Sequence, residues 1–274
     1  MSLYYEADPA DENTPPQLPP LLRAEAVTSG DVQAKAVARA AAGEVGLVCY
    51  APSGSLLDFA VTLAPEVDAS TAAQMHHALM VAVGDAIGAL APPEVVVSYQ
   101  FPGTILFNRG IAGSIQLVQG PLSADQASPA WMVVSARVRL SDETQAMPLE
   151  FRMANTSLEE EGAGFISRTR FLEACCRHFL VWLHKWEDEG FRPVHDMWTN
   201  RIEKNVELRT ADGQVADWLG LDETGSGLIK LDGEATSVSV LNAAEMFITP
   251  QLDPAPHNMG SDETGPDNSG SGTK

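Results

Sequence analysis

From about Arg168 to Glu189 apolar side chains recur at helical spacing. Phe171, Leu172, Cys175, Phe179, Trp182 and Trp186 form one wide stripe, and Gly190 stands where such a helix would stop. A helix of this length with so broad an apolar face must be covered by another layer. The rest of the chain offers a sheet. GLVCYAP and SLLDFAVTLAP are short apolar, β-branched runs split by Pro52, Ser53 and Gly54, which predicts a hairpin. VVVSYQFPGTILFNRGIAGSIQLVQG carries further strand-like runs, broken at Pro102-Gly103 and at Arg109-Gly110, and WMVVSARVRL adds another strand.

Two more helices complete this layer. DVQAKAVARAAA, Asp31 to Ala42, places Val32, Ala36, Val37 and Ala40 at helical spacing, with Gly43 as its stop. A long helix is predicted from about Asp68 or Ser70 to Leu90, with Asp68, Ser70 and Thr71 as candidate caps and Met75, Leu79, Val83 and Ile87 along its apolar face. After Gly190, the stretch VELRTADGQVADWLGLDETGSGLIKLDGEATSVSVLNAAEMF alternates short strands with Asp-Gly-type turns, which predicts a small all-β barrel of about 40 residues. The expected fold is α+β: a mixed or antiparallel sheet flanked by helices, with a small C-terminal β-barrel.

Composition sets the outer limits. At 274 residues the chain has room for one large core and a small second domain. The expected organisation is a disordered Pro-rich, acidic leader over 1–20, a main domain over 21–203, the barrel over 204–249 and a disordered tail over 250–274. A net charge of -20 repels polyanions, so neither DNA nor RNA is an expected partner. No run of about 18 apolar residues is present and the first twenty residues carry Glu6, Asp8, Asp11 and Glu12, so a soluble, cytoplasmic protein with no membrane partner is expected.

Several residues could carry chemistry, and each has a plainer reading. Cys175, Cys176 and His178 share the long helix with His184, but adjacent cysteines point about 100° apart on a helix and no Cys-x-x-Cys partner exists, so core packing is expected and no metal site. His76 and His77 lie mid-helix, where one can face the core and the other solvent, and no carboxylate at the right spacing makes an acid–base pair of them. His195 and Asp196 precede Trp198, an aromatic expected to pack the barrel against the main domain.

Three stretches resemble the biotin/lipoate protein ligase superfamily, and biotin protein ligases most closely. WEDEGFRPVHDMWTN and the barrel strands after it are similar to the family's junction, with Glu189-Gly190, Trp198, Gly220-Leu221-Asp222 and Gly227-Leu228-Ile229 matching in order. YQFPGTILFNRGIAGSIQL resembles the segment in which a Lys-Trp-Pro-Asn-Asp strand leads to a Lys-Ile-Ala-Gly-Ile-Leu strand, with Pro102 and Ala112-Gly113 matching. EAVTSGDVQAKAVARAA resembles the opening strand and Ala-rich helix.

The resemblance implies that the C-terminal barrel is SH3-like, and it implies a ligand site lined by Ser53, Gly54, Gln100, Phe101, Pro102, Arg109, Gly110, Ala112 and Gly113. It also implies what an acyl-adenylating site would need: cations and N–H donors around the carboxylate and the α-phosphate. Here the family's Gly-Arg-rich loop corresponds only to Ala51-Pro52-Ser53-Gly54-Ser55, and its two lysines correspond to Gln100 and Gly110. Arg109 is the candidate catalytic residue. It either reaches an anion in the pocket or is a solvent-exposed turn arginine. Two functions follow: a ligase-like protein with degenerate motifs that binds a small carboxylate or a protein partner, or a divergent biotin, lipoate or octanoate ligase or acyltransferase. Only the second needs ATP with magnesium and an acceptor protein.

Overall fold

The computed structural model describes residues 14–123, 126–141, 149–203, 207–248 and 252. A seven-stranded mixed sheet forms the main layer. Its strands are β1 (Arg23–Ala26), β2 (Leu47–Tyr50), β3 (Leu56–Leu63), β4 (Val97–Gln100), β5 (Thr104–Phe107), β6 (Gly110–Gln119) and β9 (Met132–Arg139), in the order β1-β2-β3-β9-β6-β5-β4. The sequence between β6 and β9 forms a small hairpin of β7 (Leu122–Ser123) and β8 (Gln126–Pro129).

β1 and β2 are parallel, which requires a crossover, and α1 (Val32–Ala41) supplies it. Asp31 lies just before α1 and caps it by accepting from the Ala34 N–H at 2.6 Å, and Gly43, the stop expected from the sequence, follows its end at φ 87°. Val32, Ala36 and Ala40 of α1 pack with Leu47, Cys49, Ala60 and Val133 on one face of the sheet. Helix α5 (Arg168–Glu189) has the bounds read from the sequence, and with α3 (Met75–Leu90) it covers the opposite face.

The helix expected from Asp68 to Leu90 is two helices. Asp68 caps α2 (Ala69–Ala72), accepting from the Ser70 and Thr71 N–H groups at 3.0 Å each; the Ser70 and Thr71 hydroxyls donate to the same carboxylate and, with the N–H groups, hold it down at about 2. A tighter turn with i→i−3 bonds, Gln74 N–H to Thr71 and His76 N–H to Ala73, separates it from α3. Nor does α3 have one apolar face: every residue from Met75 to Gly84 is buried, so both His76 and His77 lie inside, and neither faces solvent.

Where α3 passes β4, Gly84 makes room for a polar cluster. The Arg201 guanidinium donates to Asp85 at 2.7 Å and to the Tyr99 hydroxyl at 3.1 Å, Trp182 donates to Asp85 at 2.7 Å, and the Tyr99 hydroxyl donates to the Met80 carbonyl at 3.0 Å. A methyl group at Gly84 would overlap the Tyr99 hydroxyl and come within 2.8 Å of Arg201. Gly84→Ala is therefore expected to destabilise the protein by about 1–3 kcal/mol, the overpacking cost exceeding the helix propensity it gains. Urea unfolding midpoints measure this; an alanine variant as stable as the parent would mean that Tyr99 and Arg201 can move aside.

The C-terminal part forms a four-stranded antiparallel sheet of β10 (Glu207–Arg209), β11 (Val215–Leu221), β12 (Gly227–Leu231) and β13 (Glu234–Val238), followed by α7 (Val240–Met246). Ala216, Ile229, Val238, Val240, Ala243 and Phe247 join the same buried cluster as Tyr99, Phe101 and Trp198, so one core runs through both sheets. Trp198, on α6 (Arg192–Asn200), is fully buried and lies 6.1 Å from the Tyr99 ring, 6.0 Å from Trp218 and 5.2 Å from His77. It packs the second sheet against the first. A short helix, α4 (Leu149–Ala154), places the Phe151 ring against Arg139.

The two ends differ from the reading of simple disorder where they are described. Residues 1–13 of the leader lie outside the described residues. Residues 14–20 have no helix or strand but are held, the Gln17 N–H donating to Glu173 at 2.7 Å and Leu18 packing on the core. Of the expected tail, only Leu252 is described; it is buried, and its carbonyl accepts from the Arg139 guanidinium.

Candidate functional site

β6 is longer than its partner β5. Thr104 pairs with Ser114, the Ile115 N–H donates to the Gly103 carbonyl at 2.7 Å, and beyond that point β5 no longer flanks β6. A cavity of about 310 Å³ opens there. Pro102, Gly103 and Thr104 form one wall, Ser114 to Val118 another, His76 lies in its lining, and Val240 and Ala244 of α7 complete it. A second cavity of about 220 Å³ also has Thr104 in its wall, with Gln100, Phe101, Ile111, Leu208, Arg209, Phe247 and Ile248. Clefts where two sheets meet are common ligand sites, and these lie along the seam between the main and C-terminal sheets.

The walls are firm. Phe101 is buried, stacked on Trp218 at 5.1 Å and edge-on to Phe247 at 5.9 Å. A methyl at Gly103 would overlap the Ile115 carbonyl and come within 2.8 Å of His76 Nε2, so only glycine lets the chain pass so close. A methyl at Gly113 would meet the Arg137 carbonyl at 2.8 Å. Thr104 and Ser114 are both more than nine-tenths buried, yet no hydrogen bond joins either hydroxyl to another described residue.

Electrostatically the larger cavity is neutral. His76 Nε2 lies 3.2 Å from the Ile115 carbonyl, which can only accept, so the proton sits on Nε2 and the ring is a donor there. Burial pushes its pKa down to about 4. His77 Nε2 donates to the Gly225 carbonyl at 2.8 Å in the same way, and burial, with the neighbouring His76, pushes it down to about 3. Neither ring has a described partner for its Nδ1. Among the described residues that line the two cavities, Arg209 in the smaller one is the cation.

The sequence-based site residues separate into distinct places. Gln100, Phe101 and Pro102 line the two cavities, and Gly103, which the sequence marks only as a strand break, joins them. Ala112 and Gly113 lie within β6, where Ala112 is buried and Gly113 pairs with Ile105 and Val138. Arg109 and Gly110 are at the far end of the β5–β6 hairpin. There Arg109 takes φ 77°, its side chain is 83% exposed, and Nε lies 3.6 Å from the Glu203 carboxylate. It is the solvent-exposed turn arginine and lines neither cavity.

Ser53 and Gly54 are also elsewhere, at the β2–β3 connection. There Arg168 donates to the Pro52 carbonyl at 3.1 Å and to the Gly54 carbonyl. Gly54 borders a different cavity with Leu140, Glu159 and Phe165. Sequence reading did not single out Ser114, Gln116, Val240 and Ala244. Ser114 and Gln116 carry a signal, polar side chains at period two between the apolar residues Ile111, Ile115 and Leu117 of β6. The α7 residues carry none, because only the fold brings them to β6.

Among the described residues lining the two cavities, one guanidinium, that of Arg209, could meet an anion. No helix among the described residues is long and apolar enough to cross a membrane, and no three His, Cys, Asp or Glu side chains among them converge as a metal site would need. Cys175 and Cys176 are buried on α5, and burial raises both thiols, Cys176 to about 12.

Comparison with known proteins gives this geometry a context. A model of the biotin/lipoate A/B protein ligase family matches residues 18–200. The chain is 27% identical over 209 residues, 75% of its length and 85% of the relative's, to the biotin--[acetyl-CoA-carboxylase] ligase of Paracoccus denitrificans. Among solved structures it is similar to a biotin protein ligase-like protein of unknown function from Silicibacter sp. TM1040, at 29% identity and a TM-score of 0.74, covering 83% of this chain and 98% of that one. Apo biotin protein ligase from Aquifex aeolicus shares the fold at 16% identity and a TM-score of 0.62, over 82% and 96% of the two chains.

Proposed function

Because the chain belongs to the biotin/lipoate A/B protein ligase family, we propose that it uses the family's fold to hold a small ligand beside Thr104 and does not make an acyl-adenylate. The β2–β3 connection carries this reading. It is five residues long, Ala51 to Ser55, has no cation, and turns two of its carbonyls down onto Arg168. A loop held from beneath in this way has neither the length nor the donors to close over a phosphate. The positions that resemble the family's lysines, Gln100 and Gly110, supply no charge, and Arg109 is engaged by Glu203 outside both cavities. Attack of a carboxylate on an α-phosphate needs the growing charge neutralised, and these residues do not provide for it.

The alternative, a divergent ligase using ATP with magnesium and biotin, lipoate or octanoate, is favoured by the 27% identity to the Paracoccus ligase. Pyrophosphate release separates the two. The full chain incubated with magnesium, ATP and each acid in turn is expected to release none above a protein-free control. Release dependent on any one acid would establish the alternative and end the first reading.

A further inference from the structure

The family likeness says nothing of which ligand the larger cavity selects, but its lining does. Thr104 and Ser114 face each other across the β5–β6 pair, each buried, each with a hydroxyl that bonds no other described residue. Gln116, two residues further along β6, adds a carboxamide to the same wall. Pro102, Leu117, Val118, Val240 and Ala244 make the rest apolar. We infer that this cavity binds a small uncharged molecule, an amide or alcohol with a short apolar body, whose polar head sits between the Thr104 and Ser114 hydroxyls, and that it rejects the matching carboxylate. The inference rests on the small-ligand reading above.

The reasons are chemical. A hydroxyl both donates and accepts, so the pair can serve the N–H and the C=O of an amide together, whereas a carboxylate only accepts and leaves their acceptor capacity unused. A carboxylate would also lose its hydration against a lining without a cation, since Arg137, opposite Ser114 on β9, is not part of it and lies 3.4 Å from the Asp58 carboxylate. His76 cannot stand in for one. Its Nε2–H is committed to the Ile115 carbonyl and burial keeps the ring neutral at pH 7. The protein's net charge of -20 opposes the entry of any further anion. The cavity lies at the small end of ligand sites, so a head group with a chain of a few carbons is the scale that fits.

Hexanamide and hexanoate are matched probes. They share a chain and differ by one charge. Protein-observed NMR titration of the full chain at pH 7 is the measurement, because a ligand this small is expected to bind in about the millimolar range. Hexanamide should shift the amide signals of Gly103, Thr104 and Ser114 saturably, and hexanoate should bind at least about tenfold more weakly. Thr104→Val keeps the shape and removes the hydroxyl, and should weaken the amide about fivefold or more; Ser114→Ala is a second, independent removal should the first perturb folding. Equal or tighter binding of hexanoate overturns the inference and leaves the proposed function standing. Silence of both probes also overturns it. Acid-dependent pyrophosphate release would instead bring down the proposed function, so the two failures are distinguishable.

Discussion

Moving from pH 7 to pH 5 is expected to cost the fold about 4 kcal/mol, because His76 and His77 stay neutral inside while the unfolded chain takes up protons. In the unfolded chain each titrates near its ordinary value of 6.5; in the fold burial holds them down at about 4 and about 3. The sign follows from the proton count. Above pH 6.5 neither state is charged at these sites and stability is at its full value. Below it the unfolded state binds more protons than the native one, so stability falls with pH until the folded pKa values are reached. At pH 5 each histidine contributes about 1.5 pH units of this difference, or about 2 kcal/mol. Asp68, held down at about 2, loses its contribution as the pH falls from its ordinary 3.8 toward that value, which lies below the interval from pH 7 to pH 5. Urea midpoints at pH 7 and pH 5 measure the loss, and His77→Gln, which keeps a donor for the Gly225 carbonyl, should halve it. A pH-independent midpoint over this range would sink the account.

Those histidines also mark where sequence reading stops. The bounds of α5, the end of α1 at Gly43, the capping by Asp68, and the β2–β3 and β5–β6 hairpins follow from local spacing and turn chemistry, and the structure has them. His76 and His77 could not be placed this way. Their partners are the carbonyls of Ile115 and Gly225, 39 and 148 residues away, and a helix rich in alanine and glycine gives no periodic sign that it will be covered on all sides. The break at Gln74 is equally non-local: its side chain donates to the Thr224 carbonyl and accepts from Trp186, which ties the turn before α3 to both α5 and the second sheet.

The site was legible in part for the same reason. Gln100, Phe101 and Pro102 stand at the end of a strand broken at Pro102-Gly103, and in the structure they border the cavities. Arg109 stands out as a cation in a short sequence otherwise without one, but the two-residue turn that it forms with Asn108, both at positive φ, points it into solvent and toward Glu203. Thr104 and Ser114 became candidates only when β5 was seen to stop short and α7 to cross the gap.

Trp198→Ala is expected to cost about 3–5 kcal/mol and to loosen the second sheet selectively. The side chain is fully buried and sits among Tyr99 and His77 of the main domain and Trp218 of β11, with its Nε1–H on the Met80 sulfur at 3.1 Å. Its removal leaves a cavity where the two sheets share one core, and neighbours held by bonds to fixed carbonyls cannot collapse into it. What remains across the seam are the contacts of the Phe101 ring with Trp218 and Phe247 and the bonds of Gln74 to Thr224, His77 to Gly225 and His195 to Leu221, these bonds all on one turn that Asp222 braces through the Thr224 and Ser226 N–H groups. Each such bond contributes about 1 kcal/mol, so together they cannot replace the tryptophan. Hydrogen exchange should therefore show lost protection first in β11 and β12, ahead of β3 and β9. Uniform loss across both sheets would mean that the C-terminal sheet and the main domain unfold as a single unit, with Trp198 one core residue among many.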